Sequence, residues 1–358
     1  MAIQLYSKFC ELFDIRYPIV LAGMAGIANM VPLVSAVSNA GGLGTLGAAY
    51  MTPEEIRDAI QAIRKLTQAP FAVNIFANVG PDHYENFNAV NEKLNAIRDS
   101  LGIVQPDQNG IHTPDRFDEQ FRVLLEENVP IISTTFGLLS DDHMQQAKSL
   151  GIKIMNKVTT VDEAIQAEQR GCDVIVAQGS EAGGHRGTFD TSSRPSGANI
   201  GTMALVPQIV DQVKVPVLAA GGIMDGRGLV ASLALGAQGV QMGTRFLASA
   251  ESGAHPVYKQ ALLESTEEST VITNAFSGRP ARGIRNTFIQ HWETSDIKPL
   301  PFPTQNTLTR EIRNASARQN NPEYMALWAG QGTRMLTADQ AAGDIVNQIV
   351  DDAKKILI

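Results

Sequence analysis

Short, nearly continuous apolar runs recur along the chain, separated by stretches of helical periodicity. Eight runs stand out, at residues 18–22, 42–46, 71–75, 130–133, 152–155, 173–177, 216–220 and 239–242. Most are continuous rather than alternating, the pattern of parallel strands covered on both faces. Four open at a proline, Pro18, Pro70, Pro130 and Pro216, where a strand start needs no ladder donor. Between the runs, Thr52-Pro53-Glu54-Glu55 predicts a capping box with proline at the first helical position. Ile56, Ile60, Ile63 and Leu66 mark the apolar face of that helix. Thr160-Val161-Asp162-Glu163 predicts a second capping box, its helix ending near Gly171. Asp225 is placed to cap a helix through Leu229, Leu233 and Leu235, stopped by Gly236. Thr337-Ala338-Asp339-Gln340 reads as the start of the last helix, with Ile345, Ile349, Ala353 and Ile356 on its apolar side.

Strand–helix repetition through a parallel sheet leaves an eight-stranded barrel or a doubly wound open sheet. Eight runs favour the barrel. The expected fold class is α/β, a (β/α)8 TIM barrel with an inserted smaller cap or second domain. The spacing has two excesses, at roughly 80–125 and roughly 249–330, the latter rich in Thr, Asn, Pro and Arg. The expected division is a barrel of residues 1–248 and 333–358, with 249–332 inserted between the eighth strand and the last helix.

Composition narrows the function classes. The chain is 44% hydrophobic and only 18% charged, with 31 glycines, which excludes disorder and coiled coil. Its net charge of −8 offers no basic field for nucleic acid or an anionic membrane. No apolar run approaches the ~20 residues of a membrane span, and residues 1–10 carry no signal-peptide pattern. Two cysteines, Cys10 and Cys172, make neither a disulfide framework nor a zinc cluster. A cytoplasmic protein is expected.

Glycine is concentrated where barrel loops build active sites, at the strand ends. The first run ends Gly23-Met24-Ala25-Gly26; the third supplies Asn74; the sixth ends Gln178-Gly179-Ser180-Glu181-Ala182-Gly183-Gly184-His185-Arg186-Gly187. The seventh ends in Gly221-Gly222, and the eighth in Gln241-Met242-Gly243-Thr244. Glycines after the last two strands let backbone N–H groups approach phosphate oxygens, and Thr244 adds a hydroxyl donor. His185, flanked by glycine in a segment expected to be mobile, is the candidate proton handler. His83, His112, His143, His255 and His291 read as surface or structural, and no pair has metal-ligand spacing, so no metal is expected. Glu181 is either a pocket acid or structural. Phe302, Tyr258 and Trp328 are candidates to cover the site, with packing as their more ordinary role.

Residues 21–26, Val73-Asn74-Ile75-Phe76, residues 177–187 and Gln241-Met242-Gly243-Thr244 together resemble the nitronate monooxygenase family, formerly 2-nitropropane dioxygenases. Leu327-Trp328-Ala329-Gly330-Gln331-Gly332 is similar to its class I members. The resemblance implies FMN held noncovalently at the barrel mouth by Gly23, Met24, Asn74, Gln178, Gly183, Gly221, Gly222, Gln241, Met242, Gly243 and Thr244. It implies His185 as the catalytic histidine, acting as a base or orienting a nitronate. The implied reaction oxidises an alkyl nitronate, of the propionate 3-nitronate type, with O2 to a carbonyl compound and nitrite. The partners would be small molecules, and a homodimer is left open. The alternative is an NAD(P)H-dependent FMN reductase of enoyl-acyl carrier protein or quinone. One departure stands out: Ser133-Thr134-Thr135-Phe136-Gly137 carries threonine where some class I members have a second histidine.

Overall fold

The computed structural model describes residues 3–105 and 111–357. Its strands are β1 (Ile19–Leu21), β2 (Gly44–Gly47), β3 (Phe71–Phe76), β4 (Ile131–Thr135), β5 (Lys153–Val158), β6 (Val174–Gln178), β7 (Gly184–His185), β8 (Val217–Ala220), β9 (Gly239–Met242), β10 (Thr270–Thr273) and β11 (Ala281–Ile284). Eight of them form one parallel sheet in the order β1-β9-β8-β6-β5-β4-β3-β2. Leu43 closes the ring against β1: it accepts from Leu21 N–H and donates to Ile19 O, each at 2.9 Å. The eight expected runs are the eight barrel strands, and the fold is a TIM barrel.

Alternation along the strands sets what faces inward. Val20, Leu43, Ala72, Ile131, Met155, Val174 and Leu218 form one inner cluster, packed against Phe9, Cys10 and Phe13 of helix Lys8–Phe13. These residues lie toward the strand starts. Asn74, Ser133 and Lys157 stand two residues beyond Ala72, Ile131 and Met155, and Gln178 and Gln241 lie at the carboxyl ends of β6 and β9. The barrel is thus oily at the amino ends of its strands and polar at the carboxyl ends. The intervening residues face outward, as Ile19, Leu21, Val73, Ile132 and Ile154 do, and pack under the helices.

Helix starts follow the sequence with two corrections. Thr52 makes the full reciprocal capping box with Glu55, and Asp225 caps helix Gly226–Ala234. At Thr160 only half the box forms. Its hydroxyl accepts from Glu163 N–H, but the Glu163 carboxylate reaches past it to the buried donors of Thr159 and to the part-buried Phe189 N–H. The last helix begins at Ala342, not at Thr337. Asp339 takes a left-handed φ of 52°, which interrupts helical propagation, and the Glu251 carboxylate accepts from Ala342 N–H instead. At two helix ends the apolar stripe overruns the core: Leu66 and Ile356 are exposed, whereas Ile56, Ile60, Ile63, Ile345, Ile349 and Ala353 are buried.

The two excursions from the repeat meet each other. Phe87, Val90, Leu94 and Ile97 of helix Phe87–Ser100 share one apolar cluster with Phe288 and Trp292 of helix Thr287–Glu293 and Leu308 and Ile312 of helix Thr304–Arg318. A small antiparallel sheet, β10-β11-β7, ties the second excursion to the loop after β6. Among the described residues no helix is long and apolar enough to cross a membrane, and no cluster of His, Cys, Asp or Glu is arranged to hold a metal.

Candidate active site

A cavity of about 730 Å³ opens at the carboxyl ends of the strands. His185 and all eleven residues expected to touch the cofactor line it, as do Phe302, Tyr258 and Trp328. Five barrel strand ends, those of β1, β3, β6, β8 and β9, bring His185 and the eleven together.

Much of the polar lining is already engaged in holding its neighbours. Asn74 donates to Ser133 Oγ at 3.0 Å and Thr135 Oγ1 at 3.3 Å, which leaves its amide oxygen without a partner among these bonds. Thr135, at the position of the missing second histidine, therefore orients Asn74. Gln178 clamps the loop that follows it: Nε2 donates to His185 O at 2.9 Å and Oε1 accepts from Gly187 N–H at 2.7 Å. Thr244 Oγ1 accepts from Gly330 N–H at 3.0 Å, so its hydroxyl proton remains available. Glu181 proves structural. Its carboxylate accepts from Thr202 N–H at 3.0 Å and from Thr202 Oγ1 at 2.9 Å, capping helix Thr202–Val210.

At the rim the backbone is bare. Gly221 and Gly222 have φ of +119° and +72°, a conformation that favours glycine. A Cβ on Gly221 would sit 2.9 Å from Thr202 Oγ1 and 3.0 Å from Ala182 N. Gly183 meets a different constraint. A Cβ there would stand 2.5 Å from Gly330 N, because residues 329–330 of the second excursion lie directly on it.

His185 is not in a mobile segment; this corrects the sequence expectation. It pairs with Ala281 as part of β7, because the second excursion offers β11 as a strand edge. Its ring stands 5.3 Å from Trp328, 5.6 Å from Phe136 and 6.5 Å from Phe76, centroid to centroid. Nε2 lies 2.8 Å from Ser277 Oγ. Burial pushes its pKa down to about 3, and the charges of Arg279, Lys157 and Arg313 push in the same direction. The imidazole is neutral in this site.

Sequence reasoning missed several residues here. Lys157 faces inward from β5 and lines the cavity; burial, with help from Arg186, lowers its pKa to about 8. A lysine two residues beyond Met155 on an inward face was the available signal. Arg313 and Arg310, on one face of helix Thr304–Arg318, line the outer wall with Arg116 and Tyr50. Arg279 stacks on Phe136 with its guanidinium 3.9 Å from the ring centroid. Of the five remaining histidines, His112 and His255 also border the cavity. His255 caps helix Pro256–Glu264 through Nδ1, and the His112 side chain is largely exposed near Asp82, so both keep their structural or surface roles.

A β/α barrel whose mouth joins bare glycine backbone, inward amides and a half-buried imidazole defines a class of small-molecule enzymes that work at the strand ends. The sequence model of the family described as nitronate monooxygenase matches residues 7–352. A probable nitronate monooxygenase from Staphylococcus haemolyticus is 43% identical over 355 residues, covering 98% of each chain. The crystal structure of nitroalkane oxidase from Streptomyces ansochromogenes superposes with a TM-score of 0.90 at 37% identity, covering 98% of each chain. The structure of FabK from Thermotoga maritima gives a TM-score of 0.77 at 30% identity, covering 99% of this chain and 98% of that one. The chain belongs to the nitronate monooxygenase family and is an oxidoreductase.

Proposed function

We propose that this protein is an FMN-dependent nitronate monooxygenase, oxidising alkyl nitronates of the propionate 3-nitronate type with O2 to a carbonyl compound and nitrite. The observation that carries this reading is the cavity's charge. Among the described residues, Arg116, Lys157, Arg310 and Arg313 line it against a single carboxylate, Glu181, which is spent on Thr202. This stands in a chain of net charge −8. Such a local reversal of sign selects anions, and a nitronate is an anion.

The residues present fit FMN. Gly221, Gly222, Gly243 and Thr244 would hold its phosphate through backbone N–H groups and the free hydroxyl proton of Thr244. Asn74, Gln178 and Gln241 would meet polar edges of the ring, while Gly23, Met24, Gly183 and Met242 leave it room. When bound, FMN supplies the electron-accepting ring for oxidation of the nitronate carbon. In this reading residues 249–332 form a cap on a barrel of residues 1–248 and 333–358.

His185 handles position and proton. Before an anion enters, burial and three cations oppose its protonation. An anionic nitronate offsets those cations, which eases protonation of the ring so that the imidazolium can donate a hydrogen bond to it. A neutral nitroalkane brings no such compensation while asking the imidazole to take a proton from carbon. The site therefore favours substrate that arrives already ionised.

An oxygen electrode with a nitrite assay tests the proposal. The flavin-loaded protein given an alkyl nitronate should consume O2 and release nitrite with no nicotinamide present. Oxidation of NADH or NADPH with an enoyl thioester or quinone, and no nitronate turnover, would establish the reductase alternative instead.

A further inference from the structure

The ring nitrogen of His185 and the hydroxyl of Ser277 meet 2.8 Å apart across 92 residues of sequence. Ser277 is 1% exposed, and it follows Phe276 in a turn of the second excursion. The turn has little freedom: Gly278 takes φ +77° there, and a Cβ would collide with Leu300 O and Phe302 N. Three bonds converge on the Ser277 hydroxyl. It lies 3.1 Å from Arg279 O, 3.3 Å from Arg279 N–H, and 2.8 Å from His185 Nε2. A hydroxyl has one proton to give and two lone pairs to receive. Arg279 N–H can only donate, and Arg279 O can only accept.

The count has one fully satisfied solution. The Ser277 proton goes to Arg279 O, and the oxygen accepts from Arg279 N–H and from His185 Nε2–H. If Ser277 instead donated to Nε2, Arg279 O would lose this donor in a buried turn, at the cost of an unmet acceptor. Nδ1 makes no hydrogen bond among the described residues. We propose that Ser277 is a positioning residue that holds His185 in the Nε2–H tautomer, leaving Nδ1 as the bare nitrogen available to substrate. The same excursion also pairs the His185 backbone with Ala281, so it sets both the place and the tautomer of the imidazole. The consequence for turnover rests on the nitronate reading above; the tautomer does not.

Long-range proton–nitrogen NMR of flavin-loaded protein carrying 15N-imidazole histidine tests this, with His185 identified by its loss in His185→Asn. Above pH 6 the wild type should show protonated Nε2 and bare Nδ1. Ser277→Ala should move both nitrogens toward averaged values, and Ser277→Thr should restore the wild-type pattern. With an alkyl nitronate, Ser277→Ala should lower kcat about 2- to 10-fold, the scale of one neutral hydrogen bond, with KM changed less. A wild-type ring protonated at Nδ1 overturns the proposal, even if Ser277→Ala fails to fold. An unchanged nitrogen pattern in folded Ser277→Ala overturns it equally. Absence of nitronate turnover with the expected tautomer in place would instead defeat the functional reading alone.

Discussion

A neutral imidazole beside three cations has a measurable cost in acid. His185 would titrate at 6.5 in the unfolded chain but only near 3 in the folded one, chiefly through burial. Between those values the unfolded state binds more protons, so folding stability falls as pH drops from about 6.5 toward 3. Urea midpoints measured across that window should therefore fall more steeply for the wild type than for His185→Asn. The variant should keep its flavin, while turnover of a neutral nitroalkane drops about 100-fold or more, the scale of general-base loss. Unchanged turnover would remove His185 from the proton role. Lys157 acts at the other end of the pH range. Its pKa near 8 means that kcat/KM for an anionic nitronate should decline as pH passes 8. Lys157→Met should abolish that decline and lower kcat/KM about tenfold, as expected for one charge-assisted hydrogen bond. His185 was legible because glycines flank it in a local motif. Lys157 lies just past a recognised apolar run, and its inward direction emerges only from strand phase. Ser277 carried no local signal, since its partner lies 92 residues away.

Helix caps show how far local chemistry reaches at the level of elements. Thr52 and Glu55 satisfy each other within four residues, so the sequence alone specifies the box. Thr52→Ala should cost about 1 kcal/mol in urea unfolding. Glu163 departs from the same pattern because Thr159 and Phe189 offer it donors that only the fold assembles. The barrel strands were legible for a comparable reason: continuous apolar runs mark strands covered on both faces. The pairing of β7 with β11 was not, because a two-residue strand has no period and its partner lies in the second excursion. Gly183 couples these elements. With Gly330 N only 2.5 Å from the place of its Cβ, Gly183→Ala must displace residues 329–330 or the β6 loop. It should destabilise the fold by about 1–3 kcal/mol, the usual scale of overpacking, and loosen flavin retention. Thermal unfolding and flavin release on gel filtration would show both effects.

At the scale of the molecule, one architecture solves two problems. Apolar inner positions at the amino ends of the strands close the barrel core, while the polar carboxyl ends remain open as a site. The two excursions pack on one another, and the second brings Arg310, Arg313, Trp328 and the β11 edge to that opening. The result is a cationic cavity in an acidic protein, which is the basis for the proposed anionic substrate. Composition showed only the acidic average; the local reversal depends on which side chains the barrel turns inward. The most direct test is anaerobic mixing of the flavin-loaded protein with an alkyl nitronate or with a nicotinamide, followed by flavin absorbance. Loss of the oxidised flavin band with nitronate, and not with NADH or NADPH, is the predicted result. Bleaching by a nicotinamide, with no response to nitronate, would contradict the account.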